Sequence, residues 1–127
     1  MDKKMTIVLR TDKNMRKGKM VAQGSHAVEY NIMSQAKITE QGIFIPVESS
    51  IFSWLTGTSH KKIVLGINSE SELLELYEKV KEAGIICSLV LDSGLTEFNG
   101  VATYTAVGIG PDFSDKIDKF TSHLKPI

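Results

Sequence analysis

Lys19, Gln23 and His26 are spaced by four and then three residues, so a helix through them would carry all three on one face. A second polar cluster, Asp92-Ser93-Gly94-Leu95-Thr96-Glu97, follows the apolar run Ile85–Leu91. An ammonium facing a carboxylate suits hydrolysis. The carboxylate can position or deprotonate a water, and the ammonium can offset charge on an oxyanion. A lysine–aspartate pair is also an ordinary salt bridge, and a helix histidine is commonly a surface or satisfied core residue, so both readings stand at this stage. Other chemistries fit poorly. Gly18-Lys19 lacks the earlier glycine of a phosphate loop, where Lys13 stands, and Met20 replaces the Ser or Thr. His26, His60 and His123 are scattered without a Cys or Glu at ligand spacing, which argues against a metal site. There is no G-x-S-x-G elbow.

The elements that would position these residues alternate in type. Met5–Thr11 reads as a buried strand, and Lys17–Gln35 as a helix packed on the sheet, with Gly18 and Gly24 as places of close backbone approach. Residues 38–60 are irregular, with an extended piece at Ile43–Val47 and a helical turn at Ile51–Leu55. Lys61–Asn68 reads as a second strand. Ser69-Glu70-Ser71-Glu72 then fits a capping box, opening a helix that Gly84 closes. Ile85–Leu91 and Thr103–Ile109 read as an antiparallel pair, the latter ended by Gly110-Pro111, and Ser114 as the cap of a last helix running to His123. This order predicts an α/β domain with a mainly parallel sheet covered on both faces. Ligands of such sheets bind at the carboxyl edge, where Asp12–Lys19 and Asp92–Thr96 meet if their strands are parallel neighbours.

Composition bounds the rest. The 127 residues suit one domain, 1–127, and the apolar fraction of 42% supports a core without staples. The lone Cys87 reads as a small core residue of a chain suited to a reducing cytoplasm, and no run is long enough for a membrane span. Net charge is zero, but residues 1–20 hold seven basic side chains against Asp2 and Asp12. Such a patch can bind phosphates, or can be merely a solvated terminus.

The motifs together resemble those of type 2 (archaeal/eukaryotic-type) peptidyl-tRNA hydrolases. The family's Arg-x-Asp strand end followed by M-x-x-G-K-x-x-A-Q-x-x-H-A stands here as Arg10-Thr11-Asp12 and Met15 to Ala27. Its D-x-G-x-T-[EQ] stands as Asp92–Glu97, and its T-x-x-x-x-G-P as Thr105–Pro111. The resemblance covers nearly the whole chain. It implies a three-layer α/β/α sandwich with a four-stranded mixed sheet, a homodimer, and hydrolysis of the peptidyl-tRNA ester without metal or organic cofactor. It also implies functional roles for Lys19, Gln23, Asp92 and Thr96, with His26 and Thr105 as further site residues. On this reading Arg10, Lys13, Arg16 and Lys17 grip tRNA phosphates. The alternatives are a non-catalytic RNA-binding domain that keeps the fold and the basic patch, or a partner-binding domain of the same fold, for which segment 38–60 with Phe44, Phe52 and Trp54 would form the contact surface.

Overall fold

Strand β1 (Lys3–Arg10) is buried from Met5 to Arg10, and its alternating side chains feed two separate apolar clusters. Ile7 and Leu9 pack with Ala27, Val90 and Ala106, under helix α1 (Lys17–Ser34). Val8 packs on the opposite side with Leu73, Leu76 and Val80 of helix α3 (Glu70–Glu82) and Ile117 of helix α4 (Ser114–Thr121). The computed structural model in which these contacts occur describes residues 2–95 and 97–127.

The remaining strands of the main sheet are β4 (Lys62–Ile67), β5 (Cys87–Asp92), β6 (Thr103–Phe113) and β7 (Lys125–Pro126), in the order β5-β6-β1-β4-β7. The sheet therefore has five strands, not four. The additional one is the two-residue β7, which pairs antiparallel with β4 through Leu65–Pro126 and Gly66–Lys125. Two residues ending in proline carry no readable periodicity, so the sequence gives no signal for it. Nor is the sheet mainly parallel. Among the described residues only β1 and β4 pair in parallel, while β6 runs antiparallel to both β5 and β1.

Strand β6 also passes beyond its expected end at Gly110-Pro111. Gly110 at φ +96° and a register shift opposite Lys4 and Thr6 carry it on to pair Asp112 with Lys4 and Phe113 with Lys3; the Gly110–Pro111 peptide is cis. The close helix approach occurs at Gly108. A Cβ there would lie 2.9 Å from the Ala27 carbonyl oxygen, so α1 can sit against β6 only because the side chain is missing. Gly18 has open space instead, and a Cβ on Gly24 would make only ordinary contact with Ile7.

Helix α3 starts as its sequence dictates: the Ser69 hydroxyl accepts from the Glu72 N–H at 3.1 Å, and Gly84 follows the helix at φ +79°. Helix α4 differs. Ser114 is its first residue, not its cap, and the hydroxyl donates to Asp2 at 2.6 Å; the helix ends at Thr121, short of His123. The irregular segment forms a hairpin, β2 (Lys37–Thr39) with β3 (Gly42–Phe44), and helix α2 (Ser50–Thr56). Trp54 is 5% exposed and belongs to the interior, which removes it from the contact surface expected of this segment.

Candidate active site

Asp92 closes β5, and Lys19 and Gln23 come to it from the first turns of α1. Lys19 Nζ lies 2.9 Å from Asp92 Oδ1, with both side chains largely shielded from solvent, and Gln23 Nε2 donates to the same oxygen at 3.2 Å. The backbone N–H of Gly94 donates to Oδ2 at 2.9 Å. Gln23 is fixed in turn: the Thr105 hydroxyl of β6 donates to its Oε1 at 2.5 Å, and both residues are almost completely buried. This bond fixes the amide orientation, directing the Nε2 donor at Asp92.

The two strands that bring Asp12–Lys19 and Asp92 together are not neighbours. β6 lies between them, antiparallel to each, so β1 and β5 still end at the same sheet edge. The helix spans the intervening strand, and Thr105 on that strand supports the glutamine from below.

Burial pushes the Asp92 carboxyl up, but the Lys19 ammonium, the Gly94 N–H and the Gln23 amide together outweigh it and hold the group below its ordinary value. Asp92 is therefore ionised throughout the neutral range. Three N–H donors use part of the roughly four lone-pair directions of a carboxylate, which leaves room for a water to donate to it.

The other expected residues divide. His26 stacks on Tyr30, with centroids 5.9 Å apart and planes 10° from parallel, one turn beyond Gln23. Thr96 lies outside the described residues. Lys13 and Arg16 are exposed beside the loop that follows Asp92, with Lys13 Nζ 5.6 Å from the Phe98 ring centroid and Arg16 Nε 3.7 Å from Glu97, whereas Lys17, also exposed, lines the apolar groove across α1. Arg10 is placed differently. It is 6% exposed, its Nε and Nη2 hold both Asp12 oxygens at 3.0 and 2.7 Å, and its Nη1 donates to the Tyr104 carbonyl at 3.1 Å. That hydrogen bonding lowers the Asp12 carboxyl and ties the turn after β1 to β6. The basic N-terminus is thus not one patch. Lys3 and Lys4 sit at the opposite end of β1, where Lys4 pairs with Asp118. One contributor was carried to this edge by the sequence reading without a role of its own, and one escaped it. Gly94, at φ +82°, supplies the N–H for Asp92, and the glycine of the D-x-G motif was its signal. Phe98 approaches both Lys13 and Lys19, and nothing in its spacing announced it.

Across α1 from this site lies an apolar groove of about 800 Å³, lined by Leu9, Met20, Val21, Val28, Met33 and Val64 among others. Among the described residues no three His, Cys, Asp or Glu side chains gather as a metal-binding group, and no helix is long and apolar enough to cross a membrane.

Residues 3–127 match the family model described as peptidyl-tRNA hydrolase PTH2. A peptidyl-tRNA hydrolase of Methanothermobacter thermautotrophicus is 44% identical over 123 residues, covering 96% of this chain and 97% of that protein. One of Methanocaldococcus jannaschii is 40% identical over 122 residues, again covering 96% and 97%. Among solved structures, a protein of unknown function from Agrobacterium tumefaciens superposes with a TM-score of 0.59 over 100% of this chain and 98% of its own, at 12% identity, a likeness of fold alone.

Proposed function

The chain belongs to the peptidyl-tRNA hydrolase PTH2 family, and on that premise we propose that Lys19, Gln23, Asp92, Thr96 and Thr105 form the site at which it works. It is an enzyme that hydrolyses the ester joining peptide to tRNA, releasing both. The observation that carries the site assignment is the shielded Lys19–Asp92 pair at 2.9 Å, braced by a glutamine that is itself pinned from β6. A solvent-exposed salt bridge would not need that bracing.

An ester is already activated relative to an amide, so the site has two tasks: orienting a water and stabilising an oxyanion. A water donating to Asp92 attacks the ester carbonyl carbon. As the new C–O bond forms, its proton passes to the carboxylate. Asp92 is a weak base, because its partners favour the ionised form, so it takes the proton only late in bond formation. Lys19, aided by the Thr96 hydroxyl, offsets charge on the tetrahedral oxyanion. The intermediate collapses, the bond to the ribose oxygen breaks, and the proton held by Asp92 is delivered to that oxygen. Free tRNA and a peptide carboxylic acid leave, and the acid loses its proton to solvent. Neither metal nor organic cofactor takes part. Gln23 positions Asp92, and Thr105 positions Gln23; His26 shapes the adjoining helix face with Tyr30.

Lys13, Arg16 and Lys17 grip phosphates near the acceptor end, whereas Arg10 acts as the strut that holds their turn through Asp12. The two apolar clusters support a three-layer α/β/α arrangement of residues 1–127 as one domain, with α1 on one side of the sheet and α3 and α4 on the other. A second copy covers the groove beside α1, giving a homodimer; an apolar surface of that extent with Val21, Val64 and Ile127 exposed supports this reading. The work takes place in the cytoplasm, with translation. The deciding experiment is turnover of an N-acetyl-aminoacyl-tRNA by wild type, Lys19→Ala and Asp92→Asn. Wild-type rates in either folded variant would remove that residue from the site.

A further inference from the structure

Phe98 is half-buried, yet it belongs to neither apolar cluster of the described residues. Its near neighbours are cations: the ring centroid is 5.6 Å from Lys13 Nζ and 5.7 Å from Lys19 Nζ. One of these is the lysine paired with Asp92, and the other stands on the exposed basic turn.

The loop holds the ring there at a conformational cost. Phe98 adopts φ +62° and Asn99 φ +52°, left-handed values that a bulky side chain rarely takes. The Gly100 N–H donates to the Gly94 carbonyl and the Val101 N–H to the Phe98 carbonyl, each at 2.9 Å. Gly94 permits this closure, since a Cβ on it would lie 2.2 Å from the Val101 carbonyl oxygen. Backbone strain kept beside a reaction centre is a pointer to function.

We propose that Phe98 is the stacking platform for the terminal base of the tRNA, a specificity-determining residue that places the scissile ester over Lys19 and Asp92. The proposal rests on the site assignment above. The reacting ester hangs on the ribose of the last nucleotide, so the base of that nucleotide must come to rest one sugar away from the Lys19–Asp92 pair. An unpaired base offers a π-face, and an aromatic side chain with cations at its margin is the surface that recognises single-stranded RNA ends by stacking, without reading sequence. Lys13 then turns from the ring to the neighbouring phosphate, and the base takes its place on the ring.

A binding cycle tests this without relying on turnover. A trinucleotide ending in adenosine and the same molecule lacking its terminal base are titrated, at fixed salt, against wild type, Phe98→Tyr and Phe98→Leu. Leucine keeps an apolar side chain without a π-face, and thermal melting verifies that both variants fold. Removal of the base is expected to weaken binding about tenfold in wild type and in Phe98→Tyr, and hardly at all in Phe98→Leu. A loss in Phe98→Leu equal to that of wild type overturns the proposal, as does failure of wild type to bind the trinucleotide. The Lys19 and Asp92 turnover assay reads the site assignment separately, so full hydrolysis with no coupling in the cycle would sink the stacking role alone.

Discussion

The two sides of helix α1 are built on opposite plans. On one side Lys19 and Gln23 meet Asp92 in a small, shielded network in which each polar group has a partner. On the other, Met20, Val21 and Val28 open onto an apolar groove of about 800 Å³. The large cavity offers volume but few groups able to move a proton or bear charge. The shielded network instead gathers an ammonium, a carboxylate and an amide within hydrogen-bonding distance of one another. Electrostatic preorganisation needs dipoles fixed by neighbours and shielded from water, so a catalytic site can leave little empty space before substrate arrives.

The contrast is expected to break most visibly at the Lys19–Asp92 pair. Lys19→Ala and Asp92→Asn are each expected to lower kcat by about 10²–10³-fold while the fold and molecular mass stay as in wild type. Next in size is the brace. Thr105→Val leaves the buried Gln23 Oε1 without its donor, at about 1–3 kcal/mol in stability; kcat is expected to fall by more than KM changes, because only the aim of Asp92 is lost. Chemical denaturation and steady-state kinetics on the same samples test both halves. The groove predicts the reverse signature. Val21→Glu introduces a charge on a residue 69% exposed in the single chain, and is expected to halve the solution mass without changing kcat. An unchanged mass in light scattering would remove the second copy from that face.

Two smaller effects sharpen the electrostatic side. Neutralising Lys13, Arg16 and Lys17 together is expected to raise KM more than it lowers kcat, and to flatten its salt dependence by about 0.7 per lost contact on single-stranded RNA. Neutralising Lys3 and Lys4, at the far end of β1, should leave the slope alone. The smallest effect concerns acid stability. Asp92 is held below its ordinary value in the folded chain, so its contribution is complete above the ordinary carboxylate range and disappears as pH falls through the lowered value. Asp92→Asn is therefore expected to be less stable than wild type near neutrality, with the gap closing in acid; a gap constant with pH in a melting series would contradict the lowered carboxyl.

Some of this was legible in the chain because it depends on near neighbours. The Ser69 cap, the Gly84 stop and the Lys19–Gln23 spacing are local matters, decided by hydrogen bonds and helical geometry within a few residues. The motifs from Met15 to Ala27 and Asp92–Glu97 carry the residues proposed to react, through the family resemblance they bear. The close backbone approach was not legible: it was expected at Gly18 and Gly24 and occurs at Gly108, which only the contact with Ala27 marks out.

What the chain alone could not decide was the arrangement of distant segments. The insertion of β6 between β5 and β1, the pairing of β7 on β4, and the bond from the Arg10 guanidinium to the Tyr104 carbonyl all join residues far apart in sequence. Strand order is chosen by which packing buries both faces of the sheet at once, and a guanidinium goes where burial demands two acceptors. Neither is a property of any short stretch. The sequence by itself determined which residues could react and which local elements would carry them. Only the tertiary structure decided that Asp92 would meet Lys19 across an intervening strand, that Thr105 on that strand would aim the glutamine between them, and that the basic N-terminus would be divided between the two ends of β1.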